Sequence, residues 1–527
     1  MHNDVYILNR SIIDKINLIE KIKRLDQAYF LLHEEGDYHL VENDDSRCWP
    51  DYNNIIAFIP PLKKNFLGSS EFQKTYKCKY SHYVGAMANG ISSANMIIEL
   101  GRNDMLGSFG SGGLQLSVIE EAILKIKNMI EGKPYIFNLL YNPKDPKMER
   151  ETVDLYIKHG ITQIEAAAYM LITPFLAYYR VKGLRKNEKG EVIIKNRIIA
   201  KISRRETAEI FLNPPPLKLL TSLLSDALIS EEEFNLSQRI PMADDITVEG
   251  DSAGHTDNRL LLSMFPSIYL LRNEYMNKYK YAIDIRIGAA GGISTPYAAI
   301  AAYSMGADYI VTGSINQTCV ESGASLYTKK LLSQVSDTDI TMAPAADMFE
   351  QGVKLQVLKK ATFFPIRAQK LYVIYSNYNS IDDIPDKDRE DLEKNIFRKT
   401  LEQVWSETCA FFQQVNPTVI VEAMNNPKKK MSLIFRWYLG LSSRWSNQGV
   451  QGREMDYQIW CGPSIGAFNS WVKDSFLENL DNRRVALVNE QIINGAAYLS
   501  RLRNLNQSGF KIPNSAYYFH PEVLPVL

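Results

Sequence analysis

Several short stretches of this chain combine glycine, small residues and one polar or titratable group in a way that suits chemistry on a flat, charged ligand. In Val248-Glu249-Gly250-Asp251-Ser252-Ala253-Gly254-His255-Thr256 an imidazole follows a Gly-containing loop directly after an apolar run. Histidine titrates near neutrality, so His255 placed there suits proton transfer; a lone histidine is more often a structural group, and the loop after a strand is what favours the catalytic reading. Gly288-Ala289-Ala290-Gly291-Gly292-Ile293-Ser294-Thr295 and Thr312-Gly313-Ser314-Ile315-Asn316-Gln317 both carry glycine where the main chain must approach closely. Backbone N–H groups in such loops cradle phosphates; small residues for close packing are the competing explanation, and two such loops in succession weigh against it. Gly85-Ala86-Met87-Ala88-Asn89-Gly90 leaves room for a flat ligand at the backbone, or forms a tight turn. Asn138 follows the apolar Ile136-Phe137 pair and can bond the polar edge of a heterocycle, or cap a turn. Lys201 ends an apolar run and, if it faces inward, can stabilise negative charge on a reduced ring; facing outward it is a surface lysine.

These groups need a scaffold that brings many loop tips to one place. Short apolar runs recur at Tyr83–Ala86, Met105–Ser108, Ile136–Leu140, Ile164–Ala166, Ile198–Lys201, Ile246–Glu249, Ala282–Ala289 and Tyr309–Thr312. Helical periodicity follows several of them, as in Leu116–Met129, Val153–His159 and Thr295–Met305. Alternating β and α elements imply parallel strands with right-handed crossovers, and eight such units close a (β/α)8, or TIM, barrel with its active site at the strand C-termini. A doubly wound open sheet is the alternative. Each group named above lies at a strand C-terminus or in the loop that follows.

The 527 residues exceed the ~250 a barrel needs. The expected division is a small mixed domain over 1–80, a barrel over 81–345 with a helical insertion at about 206–240, and a C-terminal helical subdomain over 346–527. Tyr179–Arg197 reads as a hairpin or loop. Pro214–Arg239 opens with three prolines and then shows Leu219, Leu220, Leu223, Leu224 and Leu228 at helical spacing, which we expect near the barrel mouth as a lid. Beyond residue 345 the β signal fades, and Glu390–Gln414, Lys430–Leu441 and Asn489–Leu505 read as helices.

Composition excludes several classes. Sixty basic residues balance sixty acidic ones, which weighs against a general nucleic-acid binder; the Lys428–Lys430 run reads as a solvated helix start. Cys48, Cys78, Cys319, Cys409 and Cys461 lack metal-site spacing and suit free thiols in a reducing compartment. No long apolar run suggests a signal peptide or membrane span, so a cytoplasmic protein is expected. Neither a GxGxxG fingerprint nor an HExxH or CxxC metal motif occurs.

The barrel motifs Gly85-Ala86-Met87-Ala88, Asp251-Ser252-Ala253-Gly254-His255, Ala290-Gly291-Gly292-Ile293 and Thr312-Gly313-Ser314 resemble the nitronate monooxygenase (2-nitropropane dioxygenase) group of FMN proteins. Thr312–Gly323, Met342–Phe349, Phe435–Arg444 and Asp456–Pro463 are similar to signatures of its PfaD-type trans-acting enoyl reductases of polyketide and polyunsaturated fatty acid synthesis. The resemblance covers roughly residues 80 to 515. It implies FMN, NADPH as hydride source, an enoyl thioester on an acyl carrier protein, and polyketide synthase modules as partners, with no nucleic acid or membrane partner and homodimerisation open. It further implies that His255 is the active-site histidine, that Gly85, Ala86, Met87 and Ala88 line the flavin, and that Gly291, Gly292, Gly313 and Ser314 hold its phosphate beside Gly254. Asn138 and Lys201 carry over through weaker surrounding matches. A nitronate oxidase using the same flavin and histidine is an alternative, as is a non-catalytic carrier-protein scaffold. An inosine monophosphate dehydrogenase-type enzyme needs a cysteine after strand six, whereas Cys319 follows strand eight and reads as a small buried hydrophobe.

Overall fold

The computed structural model describes residues 19–34, 37–43, 55–143, 145–508 and 512–522. The Arg47-Cys48-Trp49-Pro50 stretch singled out in the sequence lies outside them. Three antiparallel strands come first, β1 (Ala28–Glu34), β2 (Asp37–Asn43) and β3 (Ile55–Ile59), in the order β2-β1-β3.

Eight parallel strands then close a barrel. They are β4 (His82–Val84), β5 (Leu106–Phe109), β6 (Ile136–Leu140), β7 (Gln163–Ala167), β10 (Arg197–Ile202), β11 (Asp245–Glu249), β12 (Arg286–Ala290) and β13 (Tyr309–Thr312). A two-stranded hairpin, β8 (Arg185–Lys186) with β9 (Val192–Ile193), lies between β7 and β10. All eight strands expected from the sequence are present. The seventh starts at Arg286 rather than Ala282, because its ladder to β11 begins at the Asp245–Arg286 pair.

Side chains alternate across each strand, so every second residue fills the barrel. Tyr83, Leu106, Ile136, Ile199, Ala290, Tyr309 and Val311 share one interior cluster with Phe72 and Tyr76. The latter two belong to the helix Ser70–Tyr76, which plugs the strand-start end. Its Tyr76 hydroxyl donates to Asp245 at 2.5 Å, Phe72 stacks on Tyr309 at 4.3 Å, and Arg286 binds both Asp245 carboxylate oxygens. With that end filled, the strand C-termini are the open face.

The lid expectation for Pro214–Arg239 is overturned. The helices Leu217–Ser225 and Glu231–Ser237 pack on the helix Pro174–Val181 toward its C-terminal end. There Lys182 Nζ donates to the Leu228 carbonyl, and the Gly183 N–H donates to Glu233. Arg180 reaches the Pro241 carbonyl and pairs with Asp244, one residue before β11. The physical reason is topological. Arg205–Leu212 is the barrel's own helix after β10, so the extra helices lie in a helix-to-strand connection, and these connections run at the strand-start end.

After the barrel comes a hairpin, β14 (Ile340–Pro344) with β15 (Lys354–Leu358), not foreseen from the sequence, where the barrel is expected to run to 345 and the β signal fades beyond. Burial of its alternate residues Ala343, Leu355 and Val357 begins a second hydrophobic core, shared with the helices Phe364–Asn377, Leu401–Val415 and Pro427–Gln448. The Lys428–Lys430 run does open a helix and is half-exposed, with the Lys428 ammonium held by the Tyr375 and Tyr378 carbonyls. The last long helix, Val485–Gln507, returns to the barrel core. It packs against Pro296–Ser304 and Ala94–Arg102, the helices flanking β13 and β4. Gly495 permits this approach, since a Cβ there would lie 2.5 Å from Pro296. β13 is followed by a short 3-10 turn, Ser314–Thr318, and then by the helix Leu326–Leu332, which packs on Pro427–Gln448, so Val485–Gln507 takes the place of the eighth barrel helix.

Candidate active site

Four inward-facing polar side chains stand on neighbouring strands at the open end: Asn138, Glu165, Lys201 and Glu249. Lys201 lies two residues after the interior Ile199, so the alternation turns it inward. Its ammonium lies 3.2 Å from Glu249 and 3.7 Å from Glu165. Burial opposes its charge, but the two carboxylates outweigh burial and raise its pKa, so Lys201 is a fixed cation. Glu165 is fully buried and was missed in the sequence, where it stands as one carboxylate inside the apolar run Ile164–Ala166. Its Oε2 accepts the Ala86 N–H at 3.1 Å, and its carbonyl accepts from Asn138 Nδ2 at 3.1 Å. Ala86, Asn138 and Lys201, widely separated in sequence, therefore meet around Glu165.

The Gly85–Ala88 turn is locked to the loop after β5, another glycine-rich segment missed in the sequence. Gly110 donates to Ser92, Asn89 donates to Gly112, and a Cβ on Gly110 would strike the Met87 carbonyl. Gly85 is held against β13 through its N–H on the Thr312 carbonyl, and Ala88 faces Gly112.

The two expected phosphate loops lie side by side on β12 and β13. Gly291 has φ +82°, and a Cβ there would lie 2.8 Å from the Gly250 main chain, so only glycine lets the β11 and β12 loops touch. At Gly292 and Gly313 a Cβ would meet nothing within 4 Å. The N–H groups of Gly292, Gly313 and Ser314 donate to no protein acceptor among the described residues. Main-chain donors without a protein acceptor beside open space, two of them at the start of the Ser314–Thr318 turn, suit an anion. Together with an inward lysine cation and the Asn138 amide, this donor set fits a heterocycle ending in a phosphate, as FMN does.

His255 stands on the loop after β11 with its side chain 45% exposed, and its Nε2 lies 3.0 Å from Asp347 Oδ1. Gly254, also at positive φ, is paired by main-chain hydrogen bonds with Gln356 of β15. The Gln356 side chain donates to Asp251 at 2.9 Å and to the Ser252 carbonyl at 2.7 Å, and accepts from Asn258 at 3.1 Å. Trp460 continues this seam through a bridge to Val357, and its carbonyl accepts from Gln317 at 2.6 Å. Gly462 N–H then donates to Ser314 at 3.3 Å. The segments 342–349 and 456–463, quoted in the sequence for their distinctiveness, thus buttress the His255 loop and the β13 loop. Cys319, by contrast, is fully buried, with its thiol pushed up by burial. Among the described residues no His, Cys, Asp or Glu cluster could hold a metal, and no helix is long and apolar enough to cross a membrane.

Comparison with known proteins shows the family and the fold. Residues 73–396 match the family described as Nitronate monooxygenase, and residues 378–457 match the inserted helical domain of [acyl-carrier-protein] S-malonyltransferase. The chain is 46% identical over 88% of its length to a polyunsaturated fatty acid synthase polypeptide of Thraustochytrium sp.. It is 44% identical over 85% to the polyketide biosynthesis protein PksE of Bacillus subtilis. It spans 32% and 58% of those two relatives. The crystal structure of the enoyl reductase domain of MlnA, from the macrolactin cluster of Bacillus amyloliquefaciens, is 41% identical. That match covers 84% of this chain and 99% of the MlnA domain, with a TM-score of 0.80. The chain belongs to the nitronate monooxygenase family and, within it, to the PfaD-type enoyl reductases.

Proposed function

We propose that this protein is an FMN-dependent, NADPH-using enoyl reductase that acts in trans on α,β-unsaturated thioesters carried by acyl carrier proteins of polyketide or polyunsaturated fatty acid synthases. The observation that carries the reading is the convergence, at one barrel mouth, of an anion cradle, an inward cation and a loop-borne imidazole, in a chain 41% identical to an enoyl reductase domain.

Bound FMN supplies hydride transfer from the nicotinamide to the β-carbon of the enoyl thioester. Gly292, Gly313 and Ser314 would hold the phosphate through their main-chain N–H groups, with Gly291 and Gly254 shaping the loops around it. Gly85, Ala86, Met87 and Ala88 give a flat wall, and Asn138 offers its amide to the polar edge of the ring. Lys201, kept cationic by Glu165 and Glu249, stabilises negative charge at the mouth. His255 holds the proton destined for the α-carbon and is oriented by Asp347. The seam of Gln356 and Trp460 fixes the loops and narrows access for water. The enzyme works in the cytoplasm and takes its substrate from synthase modules.

Flavin absorbance in the purified protein that bleaches with NADPH and returns on adding an enoyl thioester supports this function. Flavin reoxidised by oxygen alone, with nitronate turnover, assigns the barrel to an oxidase instead.

A further inference from the structure

A buried polar network outside the groups already described joins the last long helix to the β13 loop. Asn489 stands on the helix Val485–Gln507 with no solvent exposure. Its Oδ1 accepts from the Thr312 hydroxyl at 2.7 Å, across 177 positions of sequence. Its Nδ2 donates to Asn316 Oδ1 at 2.7 Å, and Asn316 Nδ2 donates back to Thr312 Oγ1 at 3.0 Å. One amide thus grips the last residue of β13 and the middle of the 3-10 turn, with Gly313, Ser314 and Ile315 held between them.

The network is closed by His82 on β4, whose Nε2 lies 3.0 Å from Thr312 Oγ1. The single hydroxyl proton of Thr312 goes to Asn489, so the hydroxyl must accept from His82, which fixes the Nε2–H tautomer. Burial pushes the His82 pKa down to about 3, in keeping with a neutral ring. The other ring nitrogen has no partner, so His82 stays buried and neutral only because its surroundings hold it there.

We propose that Asn489 is a positioning residue for the flavin phosphate: through Thr312 and Asn316 it sets the directions of the Gly313 and Ser314 N–H groups, so that the helix standing in the eighth barrel position controls phosphate affinity. This rests on the FMN reading above. A backbone anion cradle works only if its donors converge within a few tenths of an ångström, and a short 3-10 turn lacks the internal hydrogen bonds to enforce that alone. The buried Asn489, Thr312 and Asn316 side chains, each paired within the network, supply a single geometry. The hydrogen bonds of Asn489 go to Thr312, Asn316 and the Val485 carbonyl, none of which belongs to the His255 loop.

The test compares FMN with riboflavin, which lacks the phosphate. The full-length apoprotein is titrated with each, following flavin fluorescence, for the native protein and for Asn489→Ala, Thr312→Val and Thr312→Ser. The native protein should bind FMN far more tightly than riboflavin. Asn489→Ala and Thr312→Val should each cut that preference about tenfold, leave riboflavin affinity within about twofold and lower the apoprotein unfolding temperature by only a few degrees. Thr312→Ser, which keeps the hydroxyl, should restore the preference. An unchanged preference in Asn489→Ala and Thr312→Val overturns the inference and leaves the FMN reading standing. Equal loss of FMN and riboflavin binding also overturns it, since the network would then be structural only. A native protein without preference for FMN overturns the cofactor reading itself.

Discussion

Gly254 and Gln356 exchange main-chain hydrogen bonds in both directions, at 3.0 and 2.6 Å, although one lies in the loop after the sixth barrel strand and the other in the hairpin that starts the second core. The His255 loop is therefore a shared element of two cores. Gln356→Ala keeps the main-chain pair but removes the side-chain bonds to Asp251, Ser252 and Asn258. At ~1 kcal/mol each, their loss should release the loop without unfolding the protein. The expected result is a drop of roughly tenfold or more in enoyl reduction, while flavin bleaching by NADPH persists and the unfolding temperature falls only a few degrees. Equal loss of both half-reactions would argue against a loop-specific role.

Lys201 and Glu165 provide a second test. Lys201→Met leaves the fully buried Glu165 facing Glu249 without the ammonium between them. Removing one partner of a buried pair costs ~3–5 kcal/mol. Adding Glu165→Gln removes the stranded charge, so the double variant should recover a large part of that loss in a denaturant titration. Strict additivity of the two losses would show that the side chains are not coupled.

How much of this was legible in the sequence follows from what kind of signal each feature leaves. The eight strands were visible because each is a short apolar run ended by a loop, and parallel strands covered on both faces carry no interrupting charge except where one points into the mouth. Lys201 stood out because it ends its run; Glu165 did not, because a carboxylate between Ile164 and Ala166 reads as noise until the alternation around the barrel is known. The Leu217–Ser225 helix was seen but misplaced, since periodicity shows an apolar face without showing which end of a barrel it covers. The β14–β15 hairpin was missed because Met342-Ala343-Pro344 contains a proline and small residues that mimic a loop. Contacts such as Gly254 with Gln356, or Asn489 with Thr312, lie far apart in the chain and leave no local pattern.

Glycines in the loop after β12 should differ sharply in tolerance. Gly291→Ala combines a positive φ with a Cβ 2.8 Å from the Gly250 backbone, which cannot give way like a side chain. Gly292→Ala has a similar φ but open space. The first should lose more than ~2 kcal/mol and flavin retention on gel filtration, the second about 1 kcal/mol with flavin retained. Equal effects would mean that backbone strain alone, and not the contact between loops, determines the outcome.

The His255 loop should also respond to acid. Hydrogen bonds from Arg204, then Ser203, hold the Asp257 pKa down to about 2. Because the folded value lies below that of an unfolded aspartate, the stabilisation is present above about pH 4 and is lost as pH falls toward the folded value. Protection of the loop amides in hydrogen exchange should fall over that window in the native protein. In Arg204→Gln protection should be lower at neutral pH and change less with acid. An identical acid response in both proteins would remove Asp257 as the cause.

Enoyl reduction is tested by the visible spectrum of the purified protein, recorded anaerobically, first with NADPH and then with a crotonyl-type thioester on a carrier protein. Flavin bands should bleach with NADPH and return in step with formation of the saturated thioester, with His255→Ala slowing the second phase far more than the first. A protein that binds no flavin even after FMN is supplied, or a reduced flavin that the thioester leaves untouched while oxygen reoxidises it, would show that the protein is not an enoyl reductase.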